Sequence, residues 1–267
     1  MKKVLMAEMT SRQYSLALEA TDTVIIPVGS TEVLGSHGPL GADHLVALTL
    51  GRKLGERTQC IVAPTVPFGD AQELKHWPGT ISIHFDVLKQ FYLEICKAFI
   101  AHGLKRVFFL NTHFMNMRAV DFCGRSLREK GILVAQGDWW RAAFSVSDDL
   151  IESDDYPKGH GGEVITSVVM ALHPDLVDLS QATPESTKPG LQFHGKFTAT
   201  AGGPFYTYPD FTDLCHSGGW GNPSRASKAK GELIISRALE KMVTFIQEFK
   251  VQPLPQPHDQ TPSGGNP

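Results

Sequence analysis

The run Thr23-Val24-Ile25-Ile26-Pro27-Val28 is short, apolar and β-branched, and it empties straight into Gly29-Ser30-Thr31-Glu32-Val33-Leu34-Gly35-Ser36-His37-Gly38-Pro39-Leu40-Gly41-Ala42-Asp43. Such a run predicts a buried strand, and the Gly and Pro residues after it keep the loop irregular. In an open α/β sheet the loop beyond a strand's C-terminal end is where ligands and reacting groups sit. This one crowds Glu32, His37 and Asp43 together, so it reads as half of a metal site. Asp43 also opens a stretch, Asp43 to Leu54, with helical apolar spacing. The same carboxylate therefore suits an N-cap as well as a ligand.

Two further segments repeat the arrangement. Leu104-Lys105-Arg106-Val107-Phe108-Phe109-Leu110 reads as a second buried strand and runs into Asn111-Thr112-His113-Phe114-Met115-Asn116. Alone, His113 suits a structural hydrogen bond as well as ligation. Two carboxylates and an imidazole at the ends of neighbouring strands, however, make a set that Zn²⁺, Mn²⁺ and Fe²⁺ accept with positions left open for water. The third segment is Lys158-Gly159-His160-Gly161-Gly162-Glu163, ahead of an apolar helix that Pro174 closes. Small residues around His160 let it approach a ligand closely. Glu163 fits a helix start, where the dipole favours a carboxylate.

Strand-like runs near 23–28, 60–65, 105–110 and 132–137 alternate with helical stretches near 43–57, 85–103 and 115–130. That order predicts an α/β fold, a three-layer α/β/α sandwich with a mostly parallel central sheet. A last helix over 227–249 carries Ile234, Ile235, Leu239, Met242, Val243 and Ile246 at helical spacing, a core face. One domain over residues 1–250 is expected, followed by a flexible tail over 251–267 rich in Pro and Gly. Asp70, His76 and Trp77 precede Pro78-Gly79-Thr80 on a loop that can line the site. Trp139 and Trp140 stand at the end of the fourth strand and suit either a wall of the site or core packing.

A formal net charge of −3 provides no basic field for nucleic acid. No apolar stretch approaches the roughly 20 residues that cross a bilayer, and Glu8 arrives too early for a signal peptide. The expected location is cytoplasmic, with no nucleic-acid or membrane partner. Cys60, Cys96, Cys123 and Cys215 lack metal or redox spacing and read as buried thiols.

These segments resemble the creatininase (creatinine amidohydrolase) family. Pro27 to Asp43 is similar to the family's Pro-x-Gly-Ser-x-Glu-Gln-His-Gly-x-His-x-Pro-Leu-x-x-Asp, and Trp77-Pro78-Gly79-Thr80-Ile81-Ser82 to its Phe-Pro-Gly-Thr-x-Ser. Asn111-Thr112-His113-Phe114-Met115-Asn116 stands where the family has Asn-Gly-His-Gly-Gly-Asn. His160-Gly161-Gly162-Glu163 with Thr166-Ser167 resembles its His-Ala-Gly-Glu-x-Glu-Thr-Ser, and Gly219 to Pro223 its Gly-x-x-Gly-Asp-Pro.

The resemblance implies a metal-dependent hydrolase opening a cyclic or linear amide of a small molecule, with Glu32, Asp43 and His113 holding a divalent Zn, Mn or Fe ion. It further implies His160 as acid, Glu163 as base or ligand, and His37, Asp70, His76, Trp77 and Trp139 around the substrate. A homo-oligomer, commonly a hexamer, is implied too. Three positions depart from the pattern. Leu34 replaces the family's second-metal His, Met115 the Glu that the creatinine-opening enzyme carries, and Ile165 a Glu. One metal site is thus expected and a second is left open, with His37 or Glu163 as its ligands. The alternatives are a silent binding homologue, or a hydrolase acting on a formamide or a cyclic ketone.

Overall fold

The computed structural model describes residues 3–154, 156–185 and 210–257. In chain order its elements are α1 (Ser11–Ala20), β1 (Thr23–Val28), α2 (Ala42–Thr58), β2 (Ile61–Val62), α3 (Phe85–Ala101), β3 (Arg106–Asn111), α4 (Met117–Arg128), β4 (Leu133–Asp138), α5 (Trp139–Phe144), α6 (Glu163–Leu172), α7 (Phe211–Leu214) and α8 (Lys228–Val251). The four strands form one parallel sheet in the order β2-β1-β3-β4.

Strand side chains alternate between two cores, as the pleat requires. Val24, Ile26, Val28, Val107 and Phe109 face α1, α3 and α4, meeting Ala17, Leu88, Tyr92, Cys96, Val120 and Leu127. Ile25, Phe108 and Leu110 face the opposite layer of α2, α5, α6 and α8, meeting Val46, Leu50, Val168, Ile234 and Met242. Burial on both faces explains why β1 and β3 read as unbroken apolar runs rather than alternating ones. The expected α/β/α layering is therefore the observed one.

Pro27 sits in a central strand, where a missing N–H ordinarily costs a ladder bond. Here it falls where β2 ends. The paired register on that side ends at Ile25 with Val62, after which the Pro27 carbonyl accepts from Val66 N at 3.0 Å. The sequence pattern placed β2 over 60–65; Pro64 breaks the run, and Val66 returns only as an isolated bridge to Val28.

The crossover from β1 runs through α2 on one face, and the connection from β3 through α4 on the other. The chain thus changes direction between β1 and β3. That is the switch point at which a doubly wound sheet leaves a crevice beyond its strand ends. Among the described residues no helix is long and apolar enough to cross a membrane. Helix α8 extends through Val251, and Arg106 donates to the Gln252 carbonyl at 2.7 Å. The remainder of the expected tail, 258–267, lies outside the described residues.

Candidate metal centre

The crevice at the switch point holds Glu32, Asp43 and His113, all buried, with ligand atoms within 4.8 Å of one another. Glu32 comes from the loop after β1, Asp43 from the first turn of α2, and His113 from the loop after β3. The close approach of the β1 loop to α2 depends on Gly29, where a Cβ would lie 2.7 Å from His44 N. Asp43 is not the N-cap that its position allowed. Gly41 caps α2 without a side-chain bond. The Asp43 carboxylate turns inward and accepts from Ser30 Oγ at 2.8 Å and Trp140 Nε1 at 3.2 Å.

The hydrogen bonds of His113 fix its tautomer. Its Nε2 lies 2.7 Å from the Asp70 carbonyl, which only accepts, so Nε2 carries a proton. Its Nδ1 then points at Glu32 Oε2 and Asp43 Oδ2, 3.2 Å from each. Glu32 Oε2 is buried without a hydrogen-bond partner. A ring nitrogen between two carboxylates needs a cation or a proton to be stable in a dry site. Burial alone disfavours the charged ring, yet Glu32 and Asp43 outweigh it and lift the His113 pKa well above its ordinary value. Burial likewise opposes the charge on Glu32, and His113, His160 and Ser30 hold its pKa below the usual range. Two carboxylates and an Nδ1 set by an outer carbonyl make a donor set that a divalent ion fits.

His160 lies beside this group. Its Nε2 donates to the Val33 carbonyl at 2.8 Å, leaving Nδ1 turned toward Glu32, 4.0 Å from Oε1. Phe211 meets its ring edge-on, with centroids 5.5 Å apart. The loop that carries His160 turns at Gly161, whose φ of +73° excludes most other residues.

Other expected site residues stand elsewhere. Glu163 is not at the centre. Its carboxylate, 1% exposed, accepts from Glu152 N, Ser153 N, Ser153 Oγ and Lys230 Nζ, so every lone-pair direction is committed. His37 is buried below the surface, its Nε2 at 3.0 Å from Thr166 Oγ1, which itself donates to the Gly161 carbonyl at 2.9 Å. Burial first, then the charge of His160, lowers the His37 pKa. Through Thr166 it braces the His160 loop. Trp139 is wholly buried in the helix-packed core. Its neighbour reaches the site instead: Trp140 Nε1 donates to the Thr112 carbonyl at 2.6 Å as well as to Asp43. Asp70 contributes its backbone carbonyl to His113. His76 and Trp77 stand farther out, His76 paired with Asp210 at 3.3 Å and Trp77 donating to the His216 carbonyl at 3.0 Å.

The fold and the site define an α/β protein with a buried carboxylate–imidazole group that could hold a metal ion. The family model described as creatinine amidohydrolase matches residues 7–246, and the chain belongs to that creatininase family. It is 28% identical over 270 residues to the creatinine amidohydrolase of Pseudomonas putida, covering 92% of this chain and 97% of that protein. It is 27% identical over 233 residues to the mycofactocin precursor peptide peptidase of Mycolicibacterium smegmatis, covering 85% of each. A crystal structure of creatinine amidohydrolase superposes with a TM-score of 0.79 at 26% identity, over 94% of this chain and all of that one. Solved creatininases include a Zn–Zn form (TM-score 0.78, 27% identity) and a Mn form (0.75, 27%), each with the same coverage. Members of the family are hydrolases acting on C–N bonds.

Proposed function

We propose that this chain is a divalent-metal-dependent amidohydrolase that cleaves a C–N bond in a cyclic or linear amide of a small molecule. The convergence of Glu32, Asp43 and His113 Nδ1 at the switch point carries this reading. These three side chains would hold one Zn, Mn or Fe ion. Bound there, a divalent ion supplies Lewis acidity, making water a stronger acid near neutral pH and polarising the amide carbonyl. The chain's own groups do the rest. The Asp70 carbonyl and the Trp140 indole fix His113 and Asp43 in the orientations that ligation requires. His160, pinned through Nε2, keeps Nδ1 available to take a proton and deliver it to the leaving nitrogen. Leu34 and Met115 favour one ion over two. Family resemblance also supports a homo-oligomer, and the exposed Phe68, Ile81, Val87 and Phe91 are apolar surface that such an assembly would cover.

Elemental mass spectrometry of the purified protein tests the reading, with a panel of lactams and formamides as the activity assay. Stoichiometric metal with hydrolysis is the expected result, and a metal-free active protein would refute it. His160→Ala should retain its metal while kcat falls about 10²–10⁴-fold, the usual contribution of a positioned proton-transfer group. Unchanged kcat would remove His160 from the chemistry.

A further inference from the structure

With His160 delivering a proton to the leaving nitrogen, whatever that nitrogen carries must lie beside the His160 ring. A proton donor reaches its acceptor at about 3 Å, and the next bonded atom stands only about 1.5 Å beyond it. Two sides of the ring are already taken: the Val33 carbonyl holds Nε2, and Glu32 lies beyond Nδ1. Among the described residues the ring that meets it is Phe211, with centroids 5.5 Å apart and planes at 80°.

Phe211 is the middle of a group. Trp77 and Trp220 also meet it edge-on, their centroids 6.5 and 6.4 Å away. Both tryptophans are seated on the segments that hold His160. Trp220 N donates to the His160 carbonyl at 2.7 Å. Trp77 packs beside Gly218, where a Cβ would lie 2.6 Å from the Val33 side chain and 3.2 Å from the Trp77 ring. Helix α7, which carries Phe211, is clasped on both sides to the segment before Pro78. His76 pairs with Asp210 just ahead of it, and Trp77 Nε1 donates to the His216 carbonyl just after it. Neither core of the fold includes these three aromatic side chains, and each remains partly exposed. Large rings fixed beside a polar centre and outside the core make an apolar wall that gains by being covered.

We infer that Phe211, flanked by Trp77 and Trp220, is the wall on the leaving-group side of the site, and that the amide cleaved here carries an aromatic ring on its nitrogen side. This rests on the amidohydrolase reading with His160 as proton donor. It adds to that reading the class of leaving group: an arylalkyl amine rather than ammonia or a small alkyl amine. Phe211 contacts the substrate and selects it, while Trp77 and Trp220 hold the Phe211 ring at the angle that an edge-to-face pair requires.

The test reads binding, so that it does not wait on turnover. N-benzylacetamide and N-methylacetamide share the amide and differ in the ring on the nitrogen side. Each is titrated by ligand-observed NMR into wild type, Phe211→Ala, Phe211→Leu and Phe211→Tyr, with metal content and thermal midpoint recorded for all four. Wild type should bind the benzyl amide about tenfold more tightly, the worth of one aromatic contact. That preference should vanish in Phe211→Ala and persist in Phe211→Tyr, which keeps the ring, with metal content unchanged in both. A residue that merely packs α7 would leave the preference intact or weaken both amides alike. No preference in wild type, no binding of the benzyl amide, or a preference that survives in Phe211→Ala overturns the inference. If Phe211→Ala does not fold, Phe211→Leu, which keeps an apolar side chain without the ring, decides by the same ratio. Absence of metal from wild type would count against the amidohydrolase reading, while the ratio still judges the wall.

Discussion

His113→Ala yields a protein that no longer retains a divalent ion. Loss of an outer partner of a metal-bound His weakens affinity about 10–100-fold, and loss of the ring itself costs more. The wild-type geometry says why no neighbour compensates. His113 Nδ1 lies 3.2 Å from both carboxylates, whereas His160 Nδ1 approaches Glu32 alone, at 4.0 Å, and His37 Nε2 is engaged with Thr166. Elemental analysis should find about one ion per chain in wild type and well under a tenth of that in the variant. A thermal-shift series gives a second readout. At about 100 times the dissociation constant, metal should stabilise wild type by about 2.7 kcal/mol and the variant not at all. A variant that keeps its ion would mean that Glu32 and Asp43 suffice and that His113 is structural.

Much of this was legible in the chain, for particular reasons. β1 and β3 are buried on both faces, so they write themselves as unbroken apolar runs ending where polar residues begin. Because the sheet is parallel, those ends lie side by side, and the sequence alone groups Glu32, Asp43 and His113. What was not legible depends on side-chain direction. Glu163 follows His160 by three residues, but at the first turn of α6 it points back to Lys230 and Ser153 rather than toward the crevice. Trp139 and Trp140 are adjacent and indistinguishable by composition. Only the turn from β4 into α5 decides that Trp139 enters the core and Trp140 reaches Asp43. Phe211 carries no motif, and its place beside His160 is purely tertiary.

Lys230→Met exposes the energetic role of Glu163. The wild-type pair is 2.6 Å apart, with the lysine side chain 14% exposed and the glutamate 1%. Removing the cation leaves a buried carboxylate without its countercharge, which typically costs about 3–5 kcal/mol. For a chain of this size that is a fall in thermal midpoint of roughly 10 °C. The pH dependence has a definite sign. In the folded protein burial pushes Glu163 upward, but Lys230, Ser153 and the Glu152 and Ser153 amides hold its pKa below the ordinary 4.5. A depressed carboxylate stabilises the fold above its unfolded pKa, and that contribution disappears as pH falls through the folded value. The deficit of Lys230→Met should therefore be full at pH 7 and shrink below about pH 4. The double variant Lys230→Met/Glu163→Gln should recover part of the loss, because replacing both partners removes the buried charge. Glu163 ties Glu152 and Ser153 to the start of α6, next to His160, whereas Glu32, Asp43 and His113 hang from β1, α2 and β3. Metal content should accordingly survive in Lys230→Met while hydrolysis falls. Loss of the ion alongside stability would mean that the His160 loop and the metal centre fold as one unit.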